Sequence, residues 1–239
     1  MGIKKLVKKL VFPNSYNQEA FISYLRRCGV VIGENVSIYS PNHVSIDIRK
    51  PWLIKIGDNC KITHSVSILA HDYSISVSRR VYGEFVGGAL PVTIGNNVFI
   101  GTKAVILKGT TIGDNCIVGA GSVVRGTFPD GVVIAGNPAK VICTVKEFHN
   151  KNLNKWIADA KTCAWAIYNN SGHVPTIEEM SDGYAWLYLE RSEESIHKYK
   201  EFFTLSSDDP EDVISHFMKM KPVYKNFDEF LKDCGIKRK

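Results

Sequence analysis

The stretch "VTIGNNVFIGTKAVILKGTTIGDNCIVGAGSVV", residues 92–124, decides the architecture. Ile94, Ile100, Ile106, Ile112, Val118 and Val124 stand six apart without exception. Gly follows the aliphatic residue at 95, 101, 113 and 119, and four residues after each aliphatic the side chain is small: Val98, Ala104, Thr110, Cys116, Ser122. An α-helix cannot carry a six-residue period with so many Gly and β-branched residues. Very short strands joined by corners can, each strand turning one aliphatic inward while Gly or Asn takes a left-handed φ at the corner. "IGNN" at 94 and "IGDN" at 112 are 18 residues apart, three hexads, which predicts a three-sided coil with corners stacked on corners. One coil cannot bury its own face, so several must stack.

The same step runs through an earlier segment: Ile32, Ile38, Val44, then Ile56, Ile62 and Ile68, with Gly33, Gly57 and small side chains at Val36, Cys60 and Val66. Lys50, within "RKPWLIK", is its one exception. The beat then stops at "ILAHDYS", residues 68–74, and resumes at Ile94 two residues out of phase.

The 239 residues suffice for one large domain or two small ones. Composition is that of a globular protein, 44% hydrophobic and 23% charged. A net charge of +6 suits a polyanionic ligand but is no nucleic-acid stripe. The six cysteines form no C-x-x-C pair, so reduced thiols in a cytoplasmic protein are expected rather than a zinc knuckle. No apolar run reaches membrane-spanning length, and the basic start "MGIKKLVKKLVF" alternates charge with apolar residues unlike a signal peptide. The inner membrane surface is a second setting for that segment.

With the closing "IAGNPAKVI" at 134–142, residues 30–145 resemble the hexapeptide-repeat acyltransferases, above all the sugar O-acetyltransferases. The resemblance implies a mainly β fold, a left-handed parallel β-helix, in a homotrimer with sites between subunits. The expected organisation is an N-terminal helical cap at 1–29, the β-helix at 30–145 with an excursion at about 72–92, and a helical subdomain at 146–239. "NSYNQEAFISYLRRCGV" reads as the capping helix, with Ser15 as N-cap, Ala20, Phe21 and Leu25 as its apolar stripe and Gly29 as its end. "NKWIADAKTCAWAIYNN", "SEESIHKYKEFF", "DPEDVISHFMKM" and "NFDEFLKDCG" read as tail helices, in a region with Trp156, Trp165 and Trp186. That tail is similar to tails on some capsule-cluster acetyltransferases.

By the same resemblance the protein is an acetyl-CoA-dependent O-acetyltransferase acting on a carbohydrate hydroxyl in surface or capsular polysaccharide biosynthesis. His71 matches the catalytic histidine. A histidine at the edge of a rigid coil suits a general base, because its pKa lies near working pH. Asp72 is a loop anchor or a member of the site, and Asp47 touches the acceptor or is a solvated corner. Arg79, Arg80, Tyr82 and Phe85 in the excursion suit a sugar ring and its acidic groups. Thr102 and Ala120, 18 apart, should line the coenzyme A groove, with Lys140 and Arg125 near its phosphates. Phe99 stands where many sugar acetyltransferases carry Trp and is grouped with the donor site. No metal is expected: His43, His64 and His71 lack the spacing of the related γ-class carbonic anhydrases. Other readings of the same fold are acetyl transfer to a drug or nucleotide sugar, on oxygen or nitrogen, and a non-catalytic scaffold.

Overall fold

A computed structural model describes residues 7, 10–181, 183–204 and 207–236. Most of the basic start, residues 1–6, 8 and 9, lies outside the described residues. The chain divides into two compact units, Met1–Phe148 and His149–Lys239.

In the first unit, three sheets of very short strands wind around one core. One sheet stacks β1 (Val31–Ile32), β4 (Ile54–Ile56), β7 (Val92–Ile94), β10 (Thr111–Ile112) and β13 (Thr127–Phe128). A second stacks β2 (Ser37–Ile38), β5 (Lys61–Ile62), β8 (Phe99–Ile100), β11 (Ile117–Val118), β14 (Val132–Gly136) and β15 (Ala139–Thr144). The third stacks β3 (Ser45–Ile46), β6 (Ser67–Ile68), β9 (Val105–Ile106) and β12 (Val123–Val124). Every pairing is parallel except the closing β14–β15 hairpin.

The register makes three columns of inward aliphatics. Ile32, Ile56, Ile94, Ile112 and Phe128 align in the first sheet. Ile38, Ile62, Ile100, Val118 and Ile134 align in the second, and Ile46, Ile68, Ile106 and Val124 in the third. All are buried. Complete burial of such a side chain is worth about 1.5–3 kcal/mol, so the columns hold the coil together.

The first coil departs from the expected beat. Ile46, not Val44, pairs with Ile68 and occupies the hexad position; Val44 is buried two residues earlier, level with Val66. Two short 3-10 turns, Pro41–His43 and Pro51–Leu53, lengthen the corners of this coil. They delay the beat by two residues and then by four, which together imitate one hexad. Lys50 therefore lies in a corner insertion.

The left-handed corners fall to Asn and Gly as expected, Gly109 and Gly121 among them, but the two types divide the work. The left-handed φ falls on Asn35, Asn59, Asn97 and Asn115, each near 55°, and not on the glycines that follow the aliphatics. Those glycines are required by close approach: a Cβ on Gly95 would sit 2.7 Å from the Gly113 carbonyl carbon, and one on Gly101 would sit 2.6 Å from the Ala120 nitrogen. Amide ladders fix the corners, with Asn97 Nδ2 donating to Asn115 Oδ1 at 2.8 Å. Cys60 and Cys116 are buried free thiols bonded to carbonyls of the next coil, and burial pushes both thiols up.

Helix α1 (Gln18–Cys28) is capped by Asn17, whose side chain accepts from the Ala20 N–H; Ser15 is not the cap. Gly29 ends it in the left-handed region at φ 102°. Its Phe21 and Leu25 enter the β-helix core, so the helix closes the first coil. The excursion carries a helix of its own, α2 (Ile75–Tyr82), where only an irregular loop was expected.

The second unit is helical. It includes most of α3 (Val145–Ser171), with α4 (Glu193–Lys198), α5 (Pro210–Lys219) and α6 (Phe227–Asp233) capped by Ser192, Asp209 and Asn226. Its separate core gathers Tyr188, Phe203, Phe217, Phe227 and Phe230. Arg191 donates to the carbonyls of Leu189, Trp186 and Met220 and lies 4.1 Å over the Phe217 ring. Among the described residues no helix is long and apolar enough to cross a membrane.

Candidate active site

The third sheet ends at a corner where Asp47, Leu69, Leu107 and Arg125 follow β3, β6, β9 and β12 in equivalent positions. Asp47 is buried, and His71 lies two residues beyond Leu69, where the excursion leaves the coil. Stacking of coil on coil brings the two side chains together: His71 Nδ1 is hydrogen-bonded to Asp47 Oδ2. The same carboxylate accepts from the Ala70 N–H at 3.2 Å and, through Oδ1, from the Arg49 N–H at 2.9 Å. Burial raises the Asp47 pKa, but the Arg49 N–H, His71 and the Ala70 N–H outweigh it and hold the carboxyl below its ordinary value.

An ionised carboxylate only accepts, so His71 Nδ1 carries a proton, and in the neutral ring Nε2 is then the nitrogen with the lone pair. The side chain remains 21% exposed, so Nε2 can meet a substrate. Tyr73 and the imidazole meet edge to face with ring centroids 5.1 Å apart, and the Arg49 guanidinium lies 5.8 Å over Tyr73. A fixed tautomer on a rigid coil is the arrangement a general base needs.

Asp72 anchors the excursion. Its Oδ1 accepts from the backbone and hydroxyl of Ser74, and its Oδ2 pairs with Lys108 Nζ at 2.5 Å. The Lys108 ammonium and then Ser74 hold the Asp72 carboxyl well below the usual carboxylate range. Lys108 also donates to the Gly88 carbonyl at 2.8 Å, so one lysine on the third coil ties both ends of the excursion. The bare sequence gave no signal for Lys108. Asp47 was visible as a candidate, but not as the partner of His71.

The remaining candidates fall elsewhere. Thr102 and Ala120 stack at the opposite corner of the third sheet, between β8 and β9 and between β11 and β12. The β14–β15 hairpin continues that column, with Lys140 exposed and paired to Ala135. Phe99 is half-exposed on the adjoining face, on β8. Arg125 stands at the His71 corner instead, apart from Lys140. Within one chain Thr102, Ala120 and Lys140, expected at the donor, thus lie at the opposite edge of the third sheet from His71. Arg79, Arg80, Tyr82 and Phe85 are exposed on α2 and just after it. No hydrogen bond, ion pair or ring contact joins them to His71 among the described residues.

His43 and His64 stack at 4.6 Å near the Thr102 corner, away from His71. Among the described residues no cluster of three His, Cys, Asp or Glu could hold a metal ion.

Comparison with known proteins agrees with the repeat and the fold. Residues 91–126 match the family model described as bacterial transferase hexapeptide (six repeats). The chain is 32% identical to galactoside O-acetyltransferase of Escherichia coli (strain K12) over 155 residues, 58% of this chain and 74% of that protein. It is 38% identical to protein CapG of Staphylococcus aureus over 151 residues, 63% of this chain and 84% of that one. It is 34% identical to a putative colanic acid biosynthesis acetyltransferase of Escherichia coli (strain K12) over 142 residues, 53% of this chain and 75% of that one. The chain belongs to the hexapeptide-repeat acyltransferases, and its coil is their left-handed parallel β-helix. Its place within them is near the sugar O-acetyltransferases.

Proposed function

We propose that the protein transfers an acetyl group from acetyl-CoA to a carbohydrate hydroxyl, in the assembly of a surface or capsular polysaccharide. The buried Asp47 carboxylate on His71 Nδ1, at the point where the repeat breaks, carries the reading. His71 Nε2 takes the acceptor hydroxyl's proton as its oxygen bonds to the thioester carbonyl carbon. Collapse of the tetrahedral adduct breaks the C–S bond, and the imidazolium returns the proton to the leaving thiolate. Asp47 holds the ring and offsets the imidazolium charge during the step. Relatives named for galactoside and for colanic acid support a sugar acceptor.

The working unit in this proposal is a trimer. One chain keeps its donor corner, Thr102, Ala120 and Lys140, away from His71, so a second copy must bring its own beside it. The excursion offers the contact surface: Val77, Val81, Tyr82, Phe85 and Val86 are each at least 65% exposed on or near α2. Apolar exposure on that scale marks an interface.

Mass-spectrometric screening of sugar acceptors with acetyl-CoA tests the reaction. A mass gain of one acetyl group on a saccharide hydroxyl is expected. Transfer only to amines or drug hydroxyls, or coenzyme A binding without transfer to anything, would refute it.

A further inference from the structure

The corner insertion that interrupts the repeat at Lys50 carries side chains for which the coil has no use. It joins β3 to β4, at the same corner of the β-helix from which the excursion between β6 and β7 leaves one coil later. Arg49 and Lys50 are exposed there, just before the Pro51–Leu53 turn. The Arg49 guanidinium lies over the Tyr73 ring, and Tyr73 lies against the His71 imidazole. Lys50 Nζ lies 5.4 Å over the Trp52 ring in the same way. Tyr73 and Trp52 are 61% and 66% exposed, so neither ring is a core anchor.

A cation resting on an aromatic face keeps its N–H groups free for an anion. Among the described residues no ion pair engages Arg49 or Lys50. The acidic groups of this corner are already taken. Asp47 is held by His71 and by the N–H groups of Arg49 and Ala70, and Asp72 by Lys108 and Ser74. The Arg49 backbone is tied to the same carboxylate that orients the base, and Tyr73 lies between its guanidinium and that base. A planar guanidinium meets a carboxylate or phosphate in two parallel bonds, and exposed aromatic rings suit the apolar face of a sugar. A cationic acceptor would be repelled here, and an apolar one would leave both charges unmatched.

We infer that Arg49 is a specificity-determining residue that binds an anionic group, a carboxylate or a phosphate, on the acceptor sugar that His71 deprotonates. Lys50 adds a second positive charge from the same turn. That the anion belongs to the acetylated molecule rests on the carbohydrate reading above; the binding itself does not.

Ligand-observed NMR titrations on the full chain at low salt, with methyl glucuronide, glucose 1-phosphate and methyl glucoside as probes, test the inference. The glucuronide or the sugar phosphate should bind about five- to tenfold more tightly than the neutral glucoside, and Arg49→Gln should remove that advantage. Arg49→Lys should restore part of it, returning the charge without the planar fork. Lys219→Gln, an equal loss of charge on the second unit, should leave it intact. In acetyl transfer the ratio of kcat/KM for anionic over neutral acceptors should fall with Arg49→Gln, through KM. A stronger response to the glucuronide would assign the charge to the polymer's own residues, and to the phosphate, to an activated sugar. No binding, equal binding of all three probes, or an advantage that survives Arg49→Gln would overturn the subsite. Binding that depends on Arg49 without acetyl transfer to any saccharide would sink the reaction and leave the subsite standing. Transfer to neutral and anionic sugars alike would do the reverse.

Discussion

Asp47 and His71 are 24 residues apart in the chain and one coil apart in the β-helix, and a hydrogen bond from His71 Nδ1 to Asp47 Oδ2 joins them. The bond fixes the tautomer that leaves Nε2 basic. Asp47→Asn keeps the shape but can offer its NH2 where an acceptor is needed. Turnover should fall by about 10²-fold or more while the KM for acetyl-CoA changes little. The stability gap between wild type and variant adds a pH signature. Because the folded Asp47 pKa is depressed, its contribution is full above the unfolded value of about 3.9 and fades as pH falls through the folded one. Denaturant melts should show the gap closing on acidification. A gap that widened instead would remove the carboxylate from this role.

Lys108→Met should loosen the excursion without unfolding the coil. The lysine bonds to Asp72 and to the Gly88 carbonyl, whereas Ile106 and Ile112 on either side carry the core. Hydrogen exchange should rise at 72–90 and stay low in the strands. The acceptor KM should rise by about tenfold, because a wall that must be ordered on binding lowers affinity. Unchanged exchange would show that the ends of the excursion are held by other contacts.

How much of this was legible beforehand follows from how far each signal reaches along the chain. From Ile94 to Val124 every strand turns in one side chain and no corner is lengthened, so the six-residue beat gave both core and coil. In the first coil two corner insertions add up to one hexad, so Val44 passed for the inward residue that is in fact Ile46. That slip hid the pairing of Asp47 with His71, which depends on the true stacking of the first coil under the second. Helix α2 was missed because "ISVSRRVY" has β-branched and serine residues and no capping side chain. Lys108 was invisible because both of its contacts are tertiary.

Lys140→Ala should weaken binding of coenzyme A but spare a truncated thioester that lacks the nucleotide phosphates. Lys140 is exposed on β15, so the loss should stay at the level of a screened charge contact, about 0.2–1 kcal/mol, and shrink in high salt. Calorimetry with both donors decides it: an equal loss with each would show that the lysine acts on folding or chemistry.

Subunit complementation tests the shared site. His71→Ala lacks the base, and Ala120→Trp blocks the donor corner, so each alone should be inactive. Mixed and reassembled, the two should recover about a quarter of wild-type activity, the chance that an intact base meets an intact corner across a symmetric interface. No recovery from verified mixed trimers would place both halves of the site in one chain.

Single-turnover acetyl transfer by His71→Ala is the most direct test of the catalytic claim. With acetyl-CoA and a saccharide acceptor both saturating, the rate should fall by about 10²–10⁴-fold, the usual contribution of a general base. Calorimetry should find coenzyme A binding little changed, because in this account the donor corner of Thr102, Ala120 and Lys140, and not the imidazole, holds the coenzyme. A variant that transfers acetyl groups within a few-fold of the wild-type rate would contradict the account, and the break in the repeat at His71 would then mark an insertion and not an active site.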